Sequence, residues 1–249
     1  MTACLNYKQI VNFQDGQDLG PGKADSIANQ HPVRLQTDDV VMINVTSFNL
    51  EEANRFNVIP NMQVGQMQQI SGNTVNEPFG YRVNQKGQIE LPVIGNVFVR
   101  GLTLDSLHDV VLEKVKATGY LKEPAVQVRY LNFRVTVLGE VNSPGTFTIS
   151  TPKINVLEAI GLANDLTLFS KRNTILVIRE QNGQRQYGRI NVMSKDIFNS
   201  PYYYLQPNDV VYVEPHKSKI MAAPDPASRY VGAFTGIATL VTLILTLFR

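Results

Sequence analysis

The sequence predicts an α+β fold that ends in a C-terminal transmembrane amphipathic α-helix. Three observations carry that expectation. Short β-rich runs bounded by turn residues fill the middle of the chain. Two amphipathic helical patterns interrupt them. A charge-free run then closes the chain, between Arg229 and Arg249. The 249 residues allow one large domain or two to three small ones. Hydrophobic residues make up 43% and charged residues 18%, enough for buried cores and too apolar for a disordered chain. Lys plus Arg number 23 against 21 Asp plus Glu, a net charge of +2, so no general nucleic-acid-binding footprint is present. The single cysteine excludes an intramolecular disulfide framework, and the scattered His31, His108 and His216 argue against a zinc site.

At the N-terminal end, Cys4 follows Met1-Thr2-Ala3. No positively charged or apolar signal region precedes it. A lone cysteine after a small residue fits the end of a bacterial lipoprotein signal, in which the thiol carries a lipid and the amine an acyl chain. Two acyl signals anchor far better than one. The alternative is an ordinary free thiol. Residues 5–32 are rich in Gln, Asn, Asp and Gly and read as a linker or loosely packed arm.

The ordered middle opens on an internal echo. Leu35-Gln36-Thr37-Asp38-Asp39-Val40-Val41 matches Leu205-Gln206-Pro207-Asn208-Asp209-Val210-Val211. Each is a polar turn feeding a strand, and Asp38 and Asn208 stand where a left-handed residue suits the turn. Residues 89–94 read as a strand after the turn Asn84-Gln85-Lys86-Gly87, and 96–100 as the next strand. Thr103 is placed to cap a helix with Leu104, Leu107, Val110, Val111 and Val115 on one stripe, bounded by Gly119 and Pro124. Residues 125–130 form a strand.

A similar plan follows. Residues 133–138 form a strand, and 139–147 a hairpin with a Pro-Gly turn. Residues 155–161 form a short helix. Residues 174–179 and 185–191 pair about the turn 181–184, and 209–214 close the unit. Residues 217–229, with Pro224 and Pro226, read as a stiff connector.

Residues 230–248 (YVGAFTGIATLVTLILTLF) carry no charge. A helix of that length rises about 28 Å, close to the hydrocarbon thickness of a bilayer. Thr235, Thr239, Thr242 and Thr246 fall within roughly 60° of its circumference. Gly232 and Gly236 form a small-xxx-small pair on one flank, and the opposite arc is apolar. Either the threonine side meets neighbouring helices or water, or the helix is a plain anchor whose hydroxyls bond back to its own carbonyls. One helix cannot enclose water, so a pore demands a ring of identical chains.

No nucleophile–base set, metal cluster or phosphate loop is visible, and no cofactor is expected. Asp38, Asp39 and Asp209 read as turn residues. Tyr202-Tyr203-Tyr204 read as packing residues, with stacking on sugar rings as the alternative. Lys171, Arg172, Arg179, Arg185 and Arg189 read as solvated faces, with attraction of an acidic polymer as the alternative.

Residues 80–95 (GYRVNQKGQIELPVIG), Gly101-Leu102-Thr103 and Glu123-Pro124-Ala125-Val126-Gln127-Val128 resemble the export-domain signature of the outer-membrane polysaccharide export proteins, the Wza-type family. Gly139-Glu140-Val141 with Pro144-Gly145-Thr146-Phe147 resembles the signature of the soluble-ligand-binding β-grasp domain. Where the family often has Gly-Asp, this chain has Asp38-Asp39 and Asn208-Asp209.

The resemblance implies lipidation of Cys4, an outer-membrane location with the bulk of the chain in the periplasm, and no enzymatic activity. It implies a ring, usually eight-fold, whose C-terminal helices form a pore lined or packed through the Thr and Gly positions above. The polysaccharide, capsular or exopolysaccharide, passes through the lumen. The periplasmic base meets an inner-membrane co-polymerase, often a tyrosine kinase. The expected division is an anchored arm at 1–32, a small periplasmic export domain at 33–130, one β-grasp-like domain at 131–215, a linker at 216–229 and the transmembrane helix at 230–249. The competing reading is a membrane-anchored glycan-binding or scaffold module without a pore.

Overall fold

The computed structural model describes residues 10–15, 32–57, 80–181 and 183–222, together with Gly236, Thr239, Leu240, Leu243, Ile244 and Thr246. The fold is mixed α+β with several sheets. In the first part, β1 (Val40–Thr46) leads through α1 (Leu50–Asn54) to β2 (Tyr81–Arg82), the hairpin β3 (Gln88–Leu91) and β4 (Gly95–Phe98), α2 (Leu104–Ala117) and β5 (Ala125–Tyr130). Strand β1 is central, with β2 on one side and β5 on the other, both antiparallel. Its apolar residues alternate inward, so Val41, Ile43 and Val45 are buried.

Local chemistry sets the helix in this part. The Thr103 hydroxyl accepts from the Ser106 amide at 3.1 Å, as the sequence predicts for an N-cap. Leu107, Val111 and Val115 form the buried stripe of α2, which packs on β5. Gly119 follows at φ +71°, ending the helix in the left-handed region.

The expected strand over 89–94 is shorter in the structure. It ends at Leu91, and the chain reverses through Pro92, Val93 and Ile94. The Ile94 amide donates to the Pro92 carbonyl at 2.7 Å, around Val93 at φ +66°. A β-branched residue in that region is a strained outlier. Pro92 lacks the amide that a continuing ladder needs, which is why pairing stops there.

The second part holds β6 (Arg134–Gly139), β7 (Gly145–Thr148), α3 (Val156–Leu162), β8 (Ile175–Gln181), β9 (Gln184–Ile190) and β10 (Val210–Val213), followed by α4 (Lys217–Ala222). The sheet order is β7-β6-β10-β8-β9. Only β6 and β10 run parallel, and α3 lies in the crossover between them. Asn155 and Glu158 form a reciprocal capping box at the start of α3. One continuous buried cluster runs from Leu35 and Val41 through Phe133 and Val135 to Val211 and Val213.

Two stretches expected to be linkers contain fixed structure. In the N-terminal arm, the Phe13 and Gln14 amides donate to the carbonyls of Val192 and Met193 at 3.2 and 2.8 Å. The Phe13 ring stacks on Phe198, centroids 5.7 Å apart. An apolar ring in a polar segment anchors it by burying area that the surrounding residues lack. In the connector, α4 forms immediately after β10, and Pro224 and Pro226 lie outside the described residues. Among the described residues no helix is long and apolar enough to cross a membrane. Most of 230–249 lies outside them.

Candidate functional site

The two echoed turns have the same geometry. Asp38 and Asn208 take φ +69° and +66°, the left-handed conformation their side chains tolerate. In each turn the next residue folds its carboxylate back. Asp39 Oδ2 accepts from the Gln36 amide at 2.7 Å, and Asp209 Oδ2 from the Gln206 amide at 2.8 Å. Both aspartates are buried, 2% and 0% exposed. They differ in counterion. Asp209 is paired with Arg179, whereas Asp39 makes no ion pair among the described residues. Burial pushes the Asp39 carboxyl up to about 6, aided by the nearby Asp38 and opposed by the Gln36 amide. Both carboxylates are thus committed to shaping their turns.

A cleft of about 590 Å³ opens against β5, the strand paired with β1. Helix α2 and β5 form one side, through Asp105, His108, Gln127 and Tyr130. Lys153 and Tyr204 form the other. Tyr204 is fixed at its backbone, where its carbonyl accepts from Arg179 Nη2 at 3.0 Å. Asn155, the α3 cap, bridges to Tyr204 across the same corner. The Lys153 ammonium stands 5.7 Å from the centroid of the Tyr204 ring. Tyr130, which also lines the cleft, carries a buried hydroxyl with no hydrogen-bond partner among the described residues. Burial holds that hydroxyl far above its ordinary pKa, and the nearby Asp39 adds to the effect.

The basic residues singled out in the sequence form no open cationic patch. Lys171 and Arg189 both pair with Glu214, at 3.0 and 3.1 Å. Arg185 pairs with Glu180, Arg179 with Asp209, and Arg172 donates to Asn12 at 2.9 Å. The tyrosine triplet packs as expected, although off any strand. Tyr203 meets Phe198 and Tyr204 edge-on, and Tyr202 lies 5.1 Å from the Arg179 guanidinium. His108 bonds Asp109 and His216 bonds Ser218. His31 lies outside the described residues. Among the described residues, no group of three His, Cys, Asp or Glu is placed to hold a metal ion.

Cys4, Gly232, Thr235 and Thr242 lie outside the described residues. Gly236, Thr239, Leu240, Leu243, Ile244 and Thr246 are helical and exposed. Thr239 and Thr246 donate to the carbonyls three residues back, Gly236 and Leu243, at 2.9 and 2.8 Å. Their hydroxyls thus have acceptors within their own helix. Leu240, Leu243 and Ile244 are 62%, 60% and 49% exposed, so the body of the chain does not cover them. The cleft residues Asp105, Gln127 and Lys153 were not singled out in the sequence. They come from three separate elements, and no short-range motif links them.

Residues 27–131 match the family model described as polysaccharide biosynthesis/export protein. Two relatives carry the name EPS I polysaccharide export outer membrane protein EpsA. The one from Ralstonia solanacearum is 28% identical over 147 residues, covering 58% of this chain and 38% of the relative. The one from Ralstonia nicotianae is 31% identical over 111 residues, covering 43% and 28%. The match therefore spans less than two fifths of the length of these curated relatives. Residues 27–131 are thus similar to the polysaccharide biosynthesis/export family, and the matched stretch contains 80–95, 101–103 and 123–128, where the sequence resembles the export signature.

Proposed function

We propose that this chain is a subunit of an outer-membrane channel that exports a capsular or exopolysaccharide. Cys4 carries the lipid anchor, residues 33–130 and 131–215 form the periplasmic body as two domains, and copies of the chain close into a ring, an octamer by family resemblance. The segment 230–249 of each copy crosses the outer membrane. Thr235, Thr239, Thr242 and Thr246 face the lumen, with Gly232 and Gly236 admitting a close neighbour. A wide hydroxylated lumen lets a hydrated sugar chain slide without losing its water. The chain does no chemistry; an inner-membrane co-polymerase, possessing a kinase activity in many members, supplies the work from the periplasmic side.

One combination carries this reading. A stretch similar to an export family shares a chain with a charge-free C-terminal run that is hydroxylated on one side and apolar on the other. The uncovered Leu240, Leu243 and Ile244 add to it, because exposed apolar side chains at this density call for lipid or a partner. The relatives' names supply the outer membrane and the exopolysaccharide.

The test is the mass and symmetry of the full chain in detergent, with thiol labelling of single cysteines placed at 235, 239, 242 and 246. A closed ring in which a membrane-impermeant reagent reaches those four positions supports the channel. A monomer, or four positions reached only by lipid-soluble reagents, leaves a membrane-anchored glycan-binding module without a pore.

A further inference from the structure

We propose that the cleft between the α2–β5 layer and the Lys153–Tyr204 corner is a glycan-binding subsite. Its ligand is a short run of neutral or weakly acidic sugar rings, held outside the pore lumen. The inference rests on the export reading only for the choice of a polysaccharide as the ligand to test.

The cleft volume of about 590 Å³ lies within the range of small-ligand sites. Its lining combines an aromatic ring, Tyr204, near which the Lys153 ammonium stands, with further polar side chains. Asp105, Gln127, Lys153 and Tyr204, which carry a carboxylate, an amide, an ammonium and a hydroxyl, all line it. None of the four makes a hydrogen bond or ion pair within the described structure. By contrast, Arg179, Lys171 and Arg189, the cations of the second part singled out in the sequence, are each held by a carboxylate. The cleft therefore brings four side-chain donors and acceptors with no partner among the described residues into one concavity.

The chemistry of these groups selects among ligands. One ammonium and one carboxylate face the same space, so the cleft has no excess positive charge to hold a polyphosphate. These polar side chains share the lining with Val33, Leu104, Val126 and Val128, so the cleft offers apolar surface together with hydrogen-bonding groups, as an amphipathic ligand requires. A pyranose has a C–H face that stacks on an aromatic ring and an edge of hydroxyls that both donate and accept. Tyr204 supplies the ring. Gln127 offers both a donor and an acceptor, Lys153 donates and Asp105 accepts. The site is preformed from both sides. The Arg179 bond to the Tyr204 carbonyl fixes one wall, and the β1–β5 ladder fixes Gln127 opposite Asn44 in the other. Pro32 and Pro152 border the cleft with restricted backbones.

The experiment titrates the full chain in detergent with two hexasaccharides, neutral cellohexaose and acidic oligogalacturonate, followed by calorimetry and by tyrosine-ring NMR shifts. At least one hexamer is expected to bind and to shift Tyr204. Tyr204→Ala and, separately, the surface change Gln127→Ala each weaken binding at least tenfold. Tyr187→Ala, an exposed tyrosine away from the cleft, leaves binding unchanged. Circular dichroism of Gln127→Ala guards against a folding defect. The inference is overturned if neither hexamer binds, or if binding survives both Tyr204→Ala and Gln127→Ala. It is also overturned if a cysteine at 127 crosslinks to another copy, which would make the cleft a contact between chains. Closed rings that bind neither hexamer would sink the subsite and leave the channel standing. Binding by a chain that stays monomeric would do the reverse.

Discussion

Arg179 and Asp209 face each other, both buried, across the antiparallel pair β8 and β10. Arg179 Nε donates to Asp209 Oδ1 and Oδ2 at 3.1 and 3.2 Å, and Nη2 donates to Oδ2 at 2.7 Å. Nη2 also holds the Tyr204 carbonyl, and the Tyr202 ring lies over the guanidinium. One side chain therefore joins β8, the turn before β10 and the corner that carries Tyr204. Burial pushes the Asp209 carboxyl up, against the pull of Arg179 and the Gln206 amide. Removing the cation would strand a buried carboxylate. Arg179→Met should cost about 3–5 kcal/mol in urea unfolding. Arg179→Lys, which keeps the charge and loses the fork, should cost less.

Among the described residues, the first copy of the turn has no such counterion. Counting back along the ladders, Asp209 opposes Arg179 and Asp39 opposes Asn132. Asn132 spends its amide on the turn backbone, accepting from Val40 at 2.8 Å and donating to the Asp38 carbonyl at 3.0 Å. With its pKa raised from 3.8 to about 6, folded Asp39 keeps a proton that the unfolded chain has released. Stability therefore falls as pH rises from about 4 through 6, by roughly 3 kcal/mol for this group. Asp39→Asn, which retains an acceptor for Gln36, should flatten that slope. Denaturant midpoints measured from pH 4 to 8 for both proteins check it.

Gly139 ends β6 at φ +93°, opposite Val213 in the parallel ladder. A Cβ there would lie 2.0 Å from the Val213 carbonyl oxygen, which already accepts from the Glu140 amide. Backbone cannot retreat without breaking the β6–β10 pair. Gly139→Ala should cost about 3 kcal/mol or more in thermal or urea unfolding. Gly101→Ala offers the contrast. Its φ is +83°, yet nothing stands within 4 Å of the new Cβ, so only the left-handed penalty of about 1–2 kcal/mol applies.

The features legible in the sequence are those set within a few residues. Thr103 and Asn155 cap helices because a hydroxyl or amide reaches an amide three residues on. Asp38 and Asn208 turn left-handed because their own side chains permit it. The turn at Val93 was hidden by its composition, since Pro-Val-Ile reads as the end of a strand and the reversal uses a φ that valine normally avoids. Arg179 looked like one cation in a basic cluster, because its partner lies 30 residues away. The cleft was hidden for the same reason. Asp105, Gln127, Lys153 and Tyr204 meet only after two sheets are assembled, and no periodicity encodes that meeting.

Lys219 on α4 donates to Glu140 Oε1 at the end of β6, and Thr167 donates to Oε2 at 2.9 Å. This contact fastens to the sheet the helix that leads toward the C-terminal segment. The His216 amide, donating to the Phe169 carbonyl at 2.6 Å, holds the start of the same helix. The Lys219 hydrogen bond, with help from Thr167 and against burial, keeps the Glu140 carboxyl below the ordinary value of 4.5. A depressed carboxylate stabilises above its unfolded pKa and loses that contribution as pH falls through the folded value. Lys219 is half exposed, so the contact contributes at most about 1 kcal/mol. Glu140→Gln should speed hydrogen exchange of the α4 amides about fivefold at pH 7. The difference should shrink as pH falls below 4.5 and through the lower folded value, where the wild-type carboxylate takes up its proton. Equal exchange at pH 7 in Glu140→Gln and wild type would mean that His216 alone secures the helix.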